Sequence, residues 1–207
     1  MYRPSAFAVD DVAALHDVIR QRVFVTLAAV ADGIVRFAYA PVILDPQDGP
    51  CGAIRFHLAV GNPLTKLADN ARVAVSVIAA DAYISPDWYA QPVAVPTWNY
   101  IAVEGEGLVQ RLSRDALRQQ VIDVSAKEEV KLLPKQPWTL DKLTPQRVDA
   151  LLNGIIGFSL RFERLQGKFK LSQNKSPEDI AGVIAALEAR GDAASVAVAK
   201  AMRATAP

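Results

Sequence analysis

The sequence predicts a mainly β, α+β fold: six antiparallel strands forming a small barrel, with peripheral helices and a helical segment at the C-terminal end. Three observations predict it. Short runs rich in β-branched and aromatic residues alternate in polarity with period two. Turn chemistry punctuates them at Asp32-Gly33, at residues 45–50 and at Gly61-Asn62-Pro63. Capped helical patterns flank them, and few-stranded antiparallel sheets with helices at their ends read as barrels. No internal repeat and no low-complexity linker interrupts the 207 residues. One domain over residues 1–207 is therefore expected, with residues 176–204 as a helical extension packed on it.

Taken in order, Asp10 reads as the N-cap of a first helix, since Val12, Leu15, Val18 and Ile19 recur at helical spacing. A strand over 23–30 and a second over 34–44 pair through the Asp32-Gly33 turn. The third strand, 51–59, sorts its side chains. Gly52, Ile54, Phe56 and Leu58 face a core, and Ala53, Arg55, His57 and Ala59 face the other way. Arg55 and His57 then stand about 7 Å apart on one face, a spacing that suits a shared anionic group. After Pro63 a short helix is expected through Ala68, with Thr65 and Lys66 near its start as a phosphate seat.

A fourth strand covers 72–80. The chain then enters the stretch 83–100, YISPDWYAQPVAVPTWNY, which holds two of the three tryptophans and three of the five tyrosines. Tyr and Trp combine an apolar body with a polar tip, so such a loop can wall a pocket and offer hydrogen bonds. Pro86, Pro92 and Pro96 forbid helix through it. The fifth strand follows, with Thr97, Asn99, Ile101 and Val103 on one face, and Gly105 and Gly107 marking a bend or a close backbone approach. Ser113 caps a helix to about Lys131, and Thr144-Pro145 opens another that stops at Gly154. A last strand covers 155–165. If GKFKLSQNK continues it, Lys168, Lys170, Ser172 and Asn174 share a side. Ser176-Pro177-Glu178-Asp179 begins a helix to Arg190, and an Ala-rich helix ends the chain.

Composition excludes several classes. The lone Cys51 rules out an intramolecular disulfide framework, and no apolar run approaches a membrane span. With the acidic pair Asp10 and Asp11 near the start, these features lead us to expect a cytoplasmic protein. A net charge of +1, with acids interleaved among the bases, argues against direct DNA binding. There is no dinucleotide or P-loop glycine motif and no metal-spaced Cys/His cluster, so no metal is expected. Ser85 lacks a nucleophile elbow.

The segments HLAVGNP (57–63), AYISPDWY (82–89), VPTWNY (95–100), IIGF (155–158) and KFKLSQNK (168–175), with Met1-Tyr2-Arg3-Pro4 and Phe7, resemble the PaiB-type proteins. Those are FMN-binding split barrels described as negative transcriptional regulators, within the wider pyridoxamine-phosphate-oxidase-like flavin-binding superfamily. The resemblance implies a split-barrel homodimer with FMN at its interface and hydride or electron transfer, with NAD(P)H as a candidate donor. It also implies cofactor-binding residues. Tyr83, Ser85, Trp88, Tyr89 and Trp98 would wall the flavin, with Thr97 and Asn99 as polar contacts. Arg55, His57, Asn62, Thr65 and Lys66 would take its phosphate, and Lys170, Ser172, Gln173 and Asn174 would close the pocket. No catalytic residue is singled out. The chain departs from the pattern at Val60, where members usually carry an arginine that would contact phosphate. The alternative is a non-enzymatic regulatory or binding module on a scaffold that has weakened or lost flavin.

Overall fold

The computed structural model describes residues 1–67, 69–90 and 95–205; Pro92 and the expected helix end at Ala68 lie outside them. In chain order the elements are β1 (Ala8–Val9), α1 (Val12–Gln21), β2 (Phe24–Ala31), β3 (Ile34–Pro41), β4 (Ile43–Asp45), β5 (Ala53–Ala59), β6 (Arg72–Ile84), β7 (Thr97–Arg111), α2 (Arg114–Glu129), α3 (Pro145–Leu152), β8 (Ile155–Lys170), α4 (Pro177–Arg190) and α5 (Ala193–Thr205). The mainly β, α+β class is as the sequence predicts. Every pair of strands with a defined register is antiparallel. The hydrogen-bonding order is β3-β2-β6-β7-β8-β5-β4, with β1 beside β8.

Among the described residues the strands number eight rather than six. Pro41 has no N–H for a ladder, and the expected second strand breaks there into β3 and β4, with the Val42 N–H donating instead to Val23 O at 2.8 Å. β1 is two residues long, too short to leave a periodic signal. Two strands run further than expected. β6 continues through Asp81, a residue of poor strand propensity, to Ile84, and β8 reaches Lys170. The cap of α1 also shifts. Asp11 Oδ1 accepts the Ala13 N–H at 3.0 Å, whereas Asp10 binds Arg3 at 2.6 Å.

The chain groups into two compact units. Unit 1 comprises Met1–Val18, Val77–Glu104 and Gln166–Pro207; unit 2 comprises Ile19–Ser76 and Gly105–Leu165. β6, β7 and β8 each contribute residues to both.

Within unit 2, the β2–β3 hairpin turns on Asp32 and Gly33, both at positive φ (54° and 73°), the type I′ geometry that an Asp-Gly pair suits. Leu27, Ile54, Phe56, Leu160 and Phe162 are buried, and Phe56 stacks on Phe158 at 5.5 Å between centroids. Each such side chain contributes about 1.5–3 kcal/mol by leaving water. Gly107 is where backbone meets backbone: a Cβ there would sit 1.9 Å from Arg161 O. Only glycine fits that contact.

Within unit 1, α4 and α5 bury Ile180, Val183, Ile184, Leu187, Val198, Ala199 and Met202 in one cluster with Ile84, Tyr89 and Leu171. Ser176 Oγ caps α4 by accepting the Asp179 N–H at 3.2 Å, and Gly191 ends it in the left-handed conformation. The buried Asp179 carboxylate in turn accepts the Ala90 N–H at 2.8 Å. A Cβ on Gly182 would lie 2.4 Å from Trp88 O, so α4 sits directly against the short 3-10 turn Pro86–Trp88. Among the described residues, no helix is long and apolar enough to cross a membrane.

Candidate functional site

The sequence-predicted residues fall into both units, and their surroundings differ. In unit 2, β5 presents Arg55 and His57 on the face opposite Ile54, Phe56 and Leu58, as strand alternation requires. Both meet α2. Arg55 Nη2 pairs with Asp123 Oδ2 at 3.0 Å, and Gln119 Nε2 donates to Asp123 Oδ1 at 2.7 Å. His57 Nδ1 lies 2.8 Å from Oε1 of the fully buried Gln120. The other end of that amide, Gln120 Nε2, is buried without a partner among the described residues.

The neighbouring turn is likewise internally bonded. Pro63–Lys66 is a single 3-10 turn rather than the expected helix, and Asn62 Oδ1 already accepts the Leu64 N–H at 3.0 Å. One short turn carries less dipole than the helix start expected there. The Thr65 hydroxyl is buried within donor reach of Asn62 O (2.6 Å) and Val60 O (3.0 Å), and Lys66 is exposed.

Unit 1 holds a cavity of about 200 Å³ lined by Phe7, Tyr89, Val95, Thr97, Asn99, Lys170, Ser172, Asn174 and Lys175. Its frame is the start of β7 and the end of β8. Lys170 Nζ donates to Thr97 Oγ1 and to Trp98 O (2.7 Å). An ammonium has three N–H groups, so one remains. Burial, then the charges of Lys168 and Lys175, push the Lys170 ammonium below the usual lysine range. Asn99 is fully buried. Its Nδ2 donates to Ser172 Oγ at 2.9 Å and approaches Met202 Sδ at 3.4 Å, while its Oδ1 has no partner among the described residues. Ser172 turns the chain in the left-handed region at φ 66°, a costly conformation for serine. Burial raises the Tyr89 hydroxyl above the usual tyrosine range, against a lowering hydrogen bond to Ser172, and Asp179 raises it further. Lys175 Nζ lies 4.7 Å from the Tyr89 ring centroid. Among the described lining residues two are cationic and none is a carboxylate.

Of the sequence-predicted residues, the structure brings Tyr89, Thr97, Asn99, Lys170, Ser172 and Asn174 together around this cavity. Others have different surroundings. Trp88 packs on the α4–α5 cluster. Gln173 accepts the Leu171 N–H at 2.8 Å and donates to Phe169 O at 2.6 Å, stitching the end of β8. Ser85 Oγ accepts the Asp87 N–H at 3.3 Å, capping the Pro86–Trp88 turn. Tyr83 and Trp98 meet edge to face at 6.3 Å and stay exposed. Phe7, Val95 and Lys175 line the cavity without having been predicted as cofactor contacts. Phe7 arrives through the pairing of Ala8 with Lys168, a register that no local pattern announces. Lys168 is not among the described lining residues. It is buried, with Nζ 5.4 Å from the Tyr2 ring and 5.3 Å from the Tyr100 ring.

Residues 1–164 match the family described as "Putative FMN-binding domain". The chain belongs to this family. It is similar to the "Protease synthase and sporulation protein PAI 2" of Bacillus subtilis, at 31% identity over 189 residues, covering 91% of this chain and 89% of that protein. This agrees with the PaiB resemblance read from the segments above. Among solved structures, the FAD and heme binding protein from Mycobacterium smegmatis superposes with a TM-score of 0.57 at 19% identity, covering 84% of this chain and 78% of that one. The flavocytochrome Anf3 from Azotobacter vinelandii gives a TM-score of 0.60 at 12% identity, covering 87% and 78%. These likenesses show the fold, and it is one that flavin-binding split-barrel proteins share.

Proposed function

We propose that this flavin-family protein binds FMN at the unit 1 cavity and works as a redox flavoprotein, with a nicotinamide as electron donor. The observation that carries the reading is the unmet acceptor of Asn99 beside the incompletely used ammonium of Lys170. A buried polar atom without a partner costs about 1–3 kcal/mol, a cost that a ligand's hydrogen bond would offset. Phe7, Tyr89 and Val95 supply the apolar wall that a flavin ring needs, and two lysines with no opposing carboxylate favour an electron-rich ligand. Bound flavin would supply hydride or electron transfer. The chain's own residues would orient it: Asn99 and Lys170 by hydrogen bonds, and Thr97 and Trp98 by holding Lys170 in place.

The protein is proposed to act as a homodimer. Phe24, Val30, Val35, Phe37 and Tyr39 are each more than half exposed, and the β2–β3 register puts them on one sheet face, with Thr26 opposite Tyr39 and Val30 opposite Val35. An apolar face of that size favours a partner over water, and a second copy is the simplest one. Sedimentation of the wild type and of Phe37→Glu checks this, with a dimer expected for the first and a monomer for the second.

Titration with FMN tests the main reading. Saturation at a hundred times Kd stabilises the fold by about 2.7 kcal/mol, visible as a higher Tm. Rapid mixing of the FMN-loaded protein with NADH or NADPH should then bleach the flavin absorbance. An unchanged Tm in saturating FMN rejects the reading in favour of a regulatory or binding module without flavin. Flavin that stays oxidised with both nicotinamides rejects the proposed donor alone.

A further inference from the structure

Resting on the flavin reading, we infer that the unit 1 cavity takes the pyrimidine edge of the flavin, the C(=O)–N(H)–C(=O) imide, and not its phosphate. The argument is one of donor and acceptor matching. A phosphate brings oxygens only, and oxygen lone pairs facing Asn99 Oδ1 would leave that buried acceptor unmet. The imide brings both kinds of group. Its N–H can donate to Asn99 Oδ1, and a flanking carbonyl can accept the third N–H of Lys170.

The donors beside Asn99 also count against phosphate. Dianionic phosphate is usually held by several convergent donors, often a guanidinium fork. Among the described lining residues there is no arginine, and Lys170 has two of its three N–H groups committed to Thr97 and Trp98 O. The Ser172 hydroxyl already accepts from Asn99 Nδ2. On the Asn99–Lys170 pair what remains is one N–H donor and one acceptor beside apolar walls, which is the complement of an imide edge on an aromatic ring; the Lys175 ammonium lines the same cavity against the Tyr89 ring. A cation at that edge also stabilises the electron-rich reduced ring, so Lys170 is assigned a tuning role as well as a binding one.

The test uses the wild-type chain with two chemical probes, FMN and N3-methyl-FMN, titrated by quenching of flavin fluorescence. Methylation removes only the imide donor, and affinity should fall at least tenfold. Lys170→Met, compared with the wild type for FMN and for riboflavin, gives an independent measure. The loss should be about tenfold for both ligands, because both carry the imide and only one carries phosphate. Equal affinity for FMN and its N3-methyl derivative overturns the inference while leaving the flavin reading intact. So does a Lys170→Met defect confined to FMN, which would make the cavity a phosphate seat. Failure of the wild type to bind either flavin at high micromolar concentration overturns both.

Discussion

Two clusters of polar side chains attract attention in the sequence, and the folded chain treats them oppositely. In unit 2, Arg55 has Asp123, His57 has Gln120, Asn62 has the Leu64 N–H, and Thr65 has backbone carbonyls, although Nε2 of the buried Gln120 has no partner among the described residues. In unit 1, Asn99 Oδ1 has no partner among the described residues, Lys170 keeps an N–H beyond its two described bonds, and Ser172 holds an unfavourable backbone angle. The predicted side chains of unit 2 are spent on one another and on the backbone, whereas those of unit 1 leave an acceptor and a donor at a cavity. The residue types at the two places are alike. The difference lies in the neighbours that the long-range packing supplies.

The largest effect should come from removing the unmet acceptor. Asn99→Leu keeps the volume and replaces the Oδ1 with a methyl, so a ligand donor would be buried against hydrocarbon. FMN affinity is expected to fall on the order of a hundredfold, about 2.7 kcal/mol. The urea midpoint of the ligand-free protein should fall little or even rise, because an unsatisfied atom goes along with one hydrogen bond. A clear drop in midpoint with unchanged affinity would reverse the comparison. Arg55→Met should show the opposite pattern. It leaves Asp123 without its cation at a site where both side chains are about three-quarters covered, costing about 1–2 kcal/mol of stability. FMN affinity should stay within about twofold of the wild type. A tenfold loss of FMN affinity in that variant would return Arg55 to the cofactor site.

Much of the fold was legible because it is locally encoded. Ser113, Thr144 and Ser176 cap their helices where a cap residue precedes an apolar run, and Asp32-Gly33 makes the turn its dihedrals require. The alternation of Ile54, Phe56 and Leu58 against Arg55 and His57 came from the period of two. The site was legible only in part. Thr97, Asn99, Lys170 and Ser172 could be picked out by residue type, but α2 covering Arg55 and His57 could not be seen, since the partners lie 68 and 63 residues away. Phe7 depended on β1 pairing with β8, and the Lys168 ammonium lies against the rings of Tyr2 and Tyr100, which no local pattern announces. Aromatic richness alone does not tell wall from packing: Trp88 is half-buried against the α4–α5 cluster.

The smallest effect sharpens the comparison through pH. Burial and the neighbouring charges of Lys168 and Lys175 hold the Lys170 ammonium below the usual lysine range. Over the window between that lowered value and the ordinary one near 10.4, the unfolded chain keeps a proton that the folded chain has released. The ligand-free fold therefore gains stability as pH rises through this window, since the unfolded state binds more protons there. Ligand affinity moves the other way. The charged ammonium is the form that donates strongly to a flavin carbonyl, so FMN binding should be full below the lowered value and weaken several-fold as pH climbs through it. Titrations of FMN from neutral pH to about pH 10 check this, with Lys170→Arg as the comparison because a guanidinium keeps its charge throughout. Any ionisation of the flavin itself affects both proteins equally. A wild-type profile that declines while the arginine variant stays level ties the loss to Lys170; parallel profiles would mean that its charge does not face the ligand.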